Sequence, residues 1–547
     1  MNLPITPYMK CNSSVLLVLL ALAPVFCGQG ATPCPRFTAG SLLEEPENLY
    51  SRFGLLEVSF SYQTRVDSSG NTLYCFMTAD GQQSPTLHVH PGDRLVMHLK
   101  NQLSSTGTRQ SKQSMSQMAM MGNPSDSCGA VIMTPLSINI HMHGTNLPPV
   151  CHQDEVIKTM INAGESFDFD MHFPANEPPG IYWYHPHIHG IAEPAVLGGA
   201  SGALIVDGLE NVNPSVAGLR EHVFVVRDNL VPGNPTPGGA IPSWDVSVNY
   251  VPVPYPAFTP AKLSVKPNER QLWRVANASA DTILDVELTY DGALQPLQVV
   301  ALDGVPTNSQ YGATNGRVIT MSHILLSPAG RAEFIVTTPS LHVHSALFQT
   351  RNIDTGPDGD NDPLRPLIAV EASANAPESA PTMPRVSAEH PHGRFAGLFE
   401  ARATTSRKLY FSEVLSDPND PNSPTNFYIT VDGQKPTLFD PNNPPAIVTT
   451  QGAVEDWTIE NRAQELHEFH IHQIHFLVLA VNGVPLPDPQ FQDTVQVPYW
   501  SGKGPYPSVK VRMDFRGPTV GDFVYHCHIL GHEDGGMMAI IRVKPAE

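Results

Sequence analysis

Four times the chain places one histidine two residues after another: His141 and His143 in "HMHG", His185 and His187 in "WYHPHIHG", His470 and His472 in "HEFHIHQ", His526 and His528 in "YHCHIL". In an extended strand residues i and i+2 project from one face, so each pair can aim two imidazoles at a single point. The pairs offer eight imidazoles, whereas a closed structural zinc site takes about four ligands and would leave half of them idle. Neutral imidazole suits copper, iron, nickel and zinc. A metal cluster is therefore expected. Two pairs lie toward the start of the chain and two toward its end, which places the cluster at an interface between the first and last domains.

At 547 residues the chain exceeds what one core supports. Its 53 prolines and 41 glycines, with only 15% charged residues, point to short extended segments joined by turns. "TLHVHPGDRLVMHLKNQL", Thr86 to Leu103, alternates apolar and polar residues as a half-buried strand does. Such patterns recur over residues 42–208, 219–374 and 406–547, with a Pro-, Ala- and Ser-rich linker over 375–405. An all-β chain of three consecutive β-sandwich or barrel domains follows. The formal charge of -20 reads as a solvated acidic surface and excludes a nucleic-acid partner, for which Lys and Arg clusters would be needed.

Near the N-terminus "VLLVLLALAPVFC", Val15 to Cys27, is too short to span a bilayer and suits a secretory signal, so residues 1–31 are read as removed. No later segment reads as transmembrane, and a secreted or periplasmic protein with no membrane partner is expected. Of the seven cysteines, Cys11 and Cys27 leave with the signal and Cys527 sits among the histidines. Cys34, Cys75, Cys128 and Cys151 remain, which suggests two disulfides with three possible pairings.

On its strand Cys527 points away from His526 and His528, so it serves a second site on the opposite face. His467, an odd number of residues before His470, turns the same way. His532 and Met537 complete a Cys-His-His set with a weak thioether, the ligands of a blue-copper electron-transfer centre. The bond between Cys527 and its two neighbours would then wire one site to the other.

With these residues the chain resembles the multicopper oxidases, in particular the bacterial laccase-like enzymes of three cupredoxin domains. The resemblance implies about four coppers per chain. His141 and His470 would bind type 2 copper; His143, His185, His187, His472, His526 and His528 the type 3 pair; Cys527, His467 and His532, with Met537 axial, type 1 copper. It implies single electrons taken from small reducing donors at the surface through His467 and passed to O2. The middle domain, without such motifs, would be a spacer that shapes the substrate groove. Met142, Pro186 and Glu468 replace the family's usual Trp, Ser and Pro, and none removes a ligand. Glu468 beside His467 would favour cationic or amine-bearing donors, unless it is simply a solvated surface acid.

Asp154 and Glu533 align with proton-relay carboxylates of the family, with Asp493 a weaker candidate; each could instead orient a ligand histidine through its other ring nitrogen. His152 and His189 are read as binding no metal in the resting enzyme, and His88, His90 and His98 as structural. Met115, Met118, Met120 and Met121 are crowded together, either as a mobile loop or as soft donors for Cu(I). The sequon at Asn277 would be glycosylated only in a eukaryotic secretory host. A secreted oxidase of phenols and aromatic amines is the reading these features favour. The alternatives are a metallo-oxidase for Cu(I), Mn(II) or Fe(II), and a non-enzymatic copper-storage or electron-transfer cupredoxin.

Overall fold

Alternation in the sequence becomes strand. Along Leu55–Val66 the side chains of Leu56, Val58, Phe60 and Tyr62 are buried while Leu55, Glu57 and Ser59 between them face out, the pattern of a strand covering a core with one face. A computed structural model of the protein describes residues 32–104, 128–231, 241–311, 316–377, 394–420 and 422–546. The expected signal segment, the methionine cluster and most of the expected linker lie outside them.

Strands pair into facing sheets, three sandwiches in all. In the first, a four-stranded sheet built on Leu55–Val66 faces a five-stranded sheet in the order Asn48–Tyr50, Thr86–Val89, Gly202–Val206, Gly180–His185, His141–His143. The second packs an eight-stranded sheet on a six-stranded one. The third packs a seven-stranded sheet on a five-stranded one, ordered Ile447–Thr450, Met538–Lys544, Gly521–Cys527, His467–Ile471, Thr494–Val497. Each sandwich has its own apolar centre, around Phe60 and Phe76, around Trp273 and Phe334, and around Trp457 and Tyr525. The expected all-β architecture of three consecutive cupredoxin-like domains holds.

Two disulfides, Cys34–Cys75 and Cys128–Cys151, choose one of the three possible pairings and both brace the first domain. Among the described residues Cys527 is the free cysteine, and no helix is long and apolar enough to cross a membrane. Asn277 cannot carry a glycan in the folded protein. It is fully buried, and its amide donates to the carbonyls of Thr282, Leu326 and Ser327.

Candidate metal centre

The same device occurs at both ends of the fold. In the first domain His141–His143 pairs antiparallel with Gly180–His185, setting His141 across from His185. In the third, His467–Ile471 pairs antiparallel with Gly521–Cys527, setting His470 across from His526. The two strand pairs face each other. All eight paired imidazoles are between 0 and 2% exposed, so the interface is closed to solvent. His141 stacks on His472 at 3.9 Å and His143 on His470 at 4.0 Å between ring centroids, each contact crossing from the first domain to the third. Nε2 of His472 lies 3.1 Å from Nε2 of His187 and 3.2 Å from that of His526. The donor atoms of His141, His143 and His185 form another group within 4.8 Å, as do those of His141, His470 and His472.

Polar neighbours decide which ring nitrogen stays free. His141 directs Nδ1 to Asp154 at 3.0 Å, His185 directs Nδ1 to the carbonyl of Pro186 at 2.9 Å, and His470 directs Nδ1 to the carbonyl of Asp493 at 2.7 Å. His143 reverses this, with Nε2 3.2 Å from Asp493 Oδ1. Left without a partner are Nε2 of His141, His185 and His470, Nδ1 of His143 and His472 and both nitrogens of His528, all buried. An unpaired buried nitrogen costs about 1–3 kcal/mol, which a metal ion at the convergence point removes. Burial, reinforced by mutual repulsion, holds His143, His185, His187, His470, His472 and His528 well below the usual histidine pKa, and burial takes His526 to about 3. The rings stay neutral, the form that ligates. This donor set fits copper.

Cys527 faces the other way, into the core of the third domain. Its Sγ lies 3.6 Å from Nδ1 of His467 and 3.7 Å from Nδ1 of His532, and these nitrogens are 3.1 Å apart. Met537 is fully buried in the same core, and Glu468 donates its backbone N–H to the sulfur at 3.4 Å. Burial alone would raise the thiol's pKa; hydrogen bonds from His467 and His532 outweigh it and bring the value down to about 6. A thiolate flanked by two imidazoles results.

The exposure of the two histidines departs from the sequence reading, which set His467 at the surface. The His467 ring is wholly buried, its Nε2 held by Glu413 at 3.0 Å; the His532 ring is 12% exposed, its Nε2 3.0 Å from Glu465. Of the two rings, that of His532 is the one that reaches solvent. Beside it lies a cavity of about 20 Å³ lined by Asp281, Asp360, Asp362, Glu465 and His532. Glu468 is not a surface acid either: it is fully buried and accepts a hydrogen bond from Ser327 of the middle domain, so it cannot select donors. Strand alternation explains this, since Glu468 shares a face with His470 and not with His467.

The middle domain does more than space the other two. Arg331 donates to both oxygens of Asp493, at 2.7 and 2.5 Å, and Asp493 is the residue that holds His143 and His470. Asp303, also from the middle domain, accepts the backbone N–H groups of Arg331 at 2.8 Å and Asp493 at 3.2 Å. Asp493 is thus central, not marginal. Sequence reasoning passed over Arg331 and Asp303, because nothing near them in the chain carries a metal motif, and over Gln473, which ends the motif "HEFHIHQ" and donates to Asp154 at 2.7 Å, because an amide is not a metal ligand there. One signal was available in Gly144 after "HMH": a Cβ there would lie 2.3 Å from the Arg331 guanidinium and 2.5 Å from Asp493.

Asp154 and Glu533 are both buried at the cluster. Glu533 Oε2 is 3.1 Å from His526 Nδ1, and burial, with Asp534 and the thiolate nearby, raises its pKa well above the carboxyl range. His88 bonds to Asp207 and Asn48, His90 to Asp93, and His98 to Asp168 and Glu57, as structural histidines do. His152 bonds to the carbonyl of Asp168, away from the cluster.

Residues 418–547 and 133–211 each match a family profile described as multicopper oxidase. A multicopper oxidase of Staphylococcus haemolyticus is 25% identical over 386 residues, 68% of this chain and 70% of that protein. A laccase of Bacillus subtilis is 22% identical over 413 residues, 67% of this chain and 71% of that protein. Among solved structures, one described as a metallo-oxidase from Campylobacter jejuni superposes with a TM-score of 0.63 at 20% identity, covering 93% of this chain and 96% of that one.

Proposed function

Since the chain belongs to the multicopper oxidases, copper-dependent oxidoreductases that use O2, we propose that it takes single electrons from small reducing donors at His532 and delivers four to O2, releasing water. The observation that carries this reading is the set of buried, unpartnered imidazole nitrogens converging at the interface of the first and third domains, one residue from a thiolate that faces the other way. Bound copper would supply the one-electron redox chemistry and the affinity for O2. Its ligands are proposed as His141 and His470 for type 2, the sets His143, His185, His528 and His187, His472, His526 for the type 3 pair, and Cys527, His467, His532 and Met537 for type 1.

The remaining chemistry falls to the polypeptide. Asp154 and Asp493 fix ring orientation, and Glu533 holds a proton beside His526 for delivery inward. Glu413 and Glu465 lock the two type 1 imidazoles, the second of them at the surface. The two disulfides support a secreted or periplasmic location.

For the donor, phenols and aromatic amines are the laccase-like reading. A metal ion is the second, favoured by the cavity beside His532. Its carboxylates Asp281 and Asp362 are buried, and each has one oxygen with no hydrogen-bond partner. Its volume of about 20 Å³ holds a water or an ion, not an aromatic ring. Counting copper per chain and following O2 uptake with a phenol, Fe(II), Mn(II) and Cu(I) tests the whole reading. About four coppers and uptake with at least one donor are expected; one copper and no uptake would leave only an electron carrier. Asp281→Asn should weaken metal-ion donors about 10-fold in KM and leave phenols unchanged if the second reading holds.

A further inference from the structure

All eight paired imidazoles are sealed from solvent, so copper needs a way to reach them. A cavity of about 30 Å³ ends on one of them: it is lined by Met160, His187, His189, Phe439, Val524 and Met538, among others. Its donors are two thioethers and the imidazole of His189, whose buried Nδ1 has no partner and whose ring meets Phe439 edge-on at 4.9 Å. Both methionines are held in place. Met160 lies in a short strand paired with Cys128–Gly129, which the Cys128–Cys151 disulfide pins, and Met538 opens the last strand of the third domain.

Water is a poor occupant here, because thioethers are weak acceptors and the other walls are largely apolar. The volume exceeds the roughly 10–15 Å³ that one small occupant needs. Thioether and imidazole together select soft Cu(I) over harder divalent ions. We propose that Met160, Met538 and His189 form a transit site for Cu(I), from which the ion passes by ligand exchange to His187 and fills the cluster. No electron moves in this step; one set of neutral donors replaces another. The site rests on the proposed role of His187 as a copper ligand, and it gives His189 a part in loading that is compatible with its binding no metal in the resting enzyme.

The test loads copper-free full-length protein anaerobically with Cu(I), supplied as its acetonitrile complex, and counts copper per chain against time. Met160→Leu/Met538→Leu keeps volume and apolar character, so the fold should hold; His189→Ala removes the imidazole. Both variants should fill the cluster about 10-fold more slowly than wild type. They should fill the type 1 site at the wild-type rate, and once fully loaded they should consume O2 normally. Wild-type loading rates in both variants would overturn the proposal. So would normal loading combined with a raised KM for O2, which would make the cavity a gas path. Wild-type protein that took up no copper at all would instead overturn the function proposed above.

Discussion

Asp154 and Glu533 are both buried beside imidazoles of the cluster, yet their surroundings set them apart. Asp154 accepts from His141, from the backbone N–H of Met142 at 2.9 Å and from Gln473, so it is pinned and acts by holding a ring. Neither oxygen of Glu533 forms a hydrogen bond, which leaves the carboxyl free to give up a proton. Asp154→Asn should therefore lose copper affinity by about 10–100-fold, measured by chelator competition. Glu533→Gln should retain its copper and lower kcat by about 100-fold or more with an altered pH profile. A third carboxyl acts on stability. Burial raises the pKa of Glu177 from 4.5 to about 7 even though Asn146 donates to it. A carboxyl with a raised native pKa stabilises the fold fully below its unfolded value and ceases to do so as pH climbs through the native one. Unfolding free energy should fall by about 3 kcal/mol between pH 4.5 and about 7 on its account, at about 1.4 kcal/mol per unit. Denaturant titrations of Glu177→Gln should show that much less slope. At this scale the convergence of the paired histidines was plain in the sequence, since spacing alone gives a strand's two faces. The exposure of His532 over His467 was not, because it depends on what packs above each ring.

Strands carry the proposed electron path. His526, Cys527 and His528 alternate across one backbone, so the outward thiolate and the inward imidazoles are separated by peptide bonds and not by space. Register is the vulnerable quantity, since slipping a strand by one residue turns every side chain to the opposite face. Inserting one alanine between Tyr525 and His526 should abolish both the visible charge-transfer band of the type 1 site and O2 uptake, whereas Glu468→Gln, buried behind that strand, should leave the KM for every donor unchanged. Alternation was readable at this scale. The partners of these strands were not: Asp493 stands just before Thr494–Val497, the neighbour of His467–Ile471, and sequence distance hides that pairing.

Across the whole molecule, Arg331 ties the middle domain to the cluster through Asp493. Arg331→Leu would strip the buried Asp493 of its guanidinium partner, at a cost of about 3–5 kcal/mol. The variant should keep its type 1 colour yet lose trinuclear copper and O2 uptake, as metal analysis beside the visible spectrum would show. That contact was invisible in the sequence because a lone arginine in "SPAGRAEF" carries no spacing to read. The three-sandwich plan was legible from turn residues and alternation; the way the sandwiches lock together was not. His141 and His143 leave the ribosome long before His526 and His528, and the ring of imidazoles stays open until the strand Gly521–Cys527 has emerged and docked. The cluster therefore cannot fill before that part of the chain has folded.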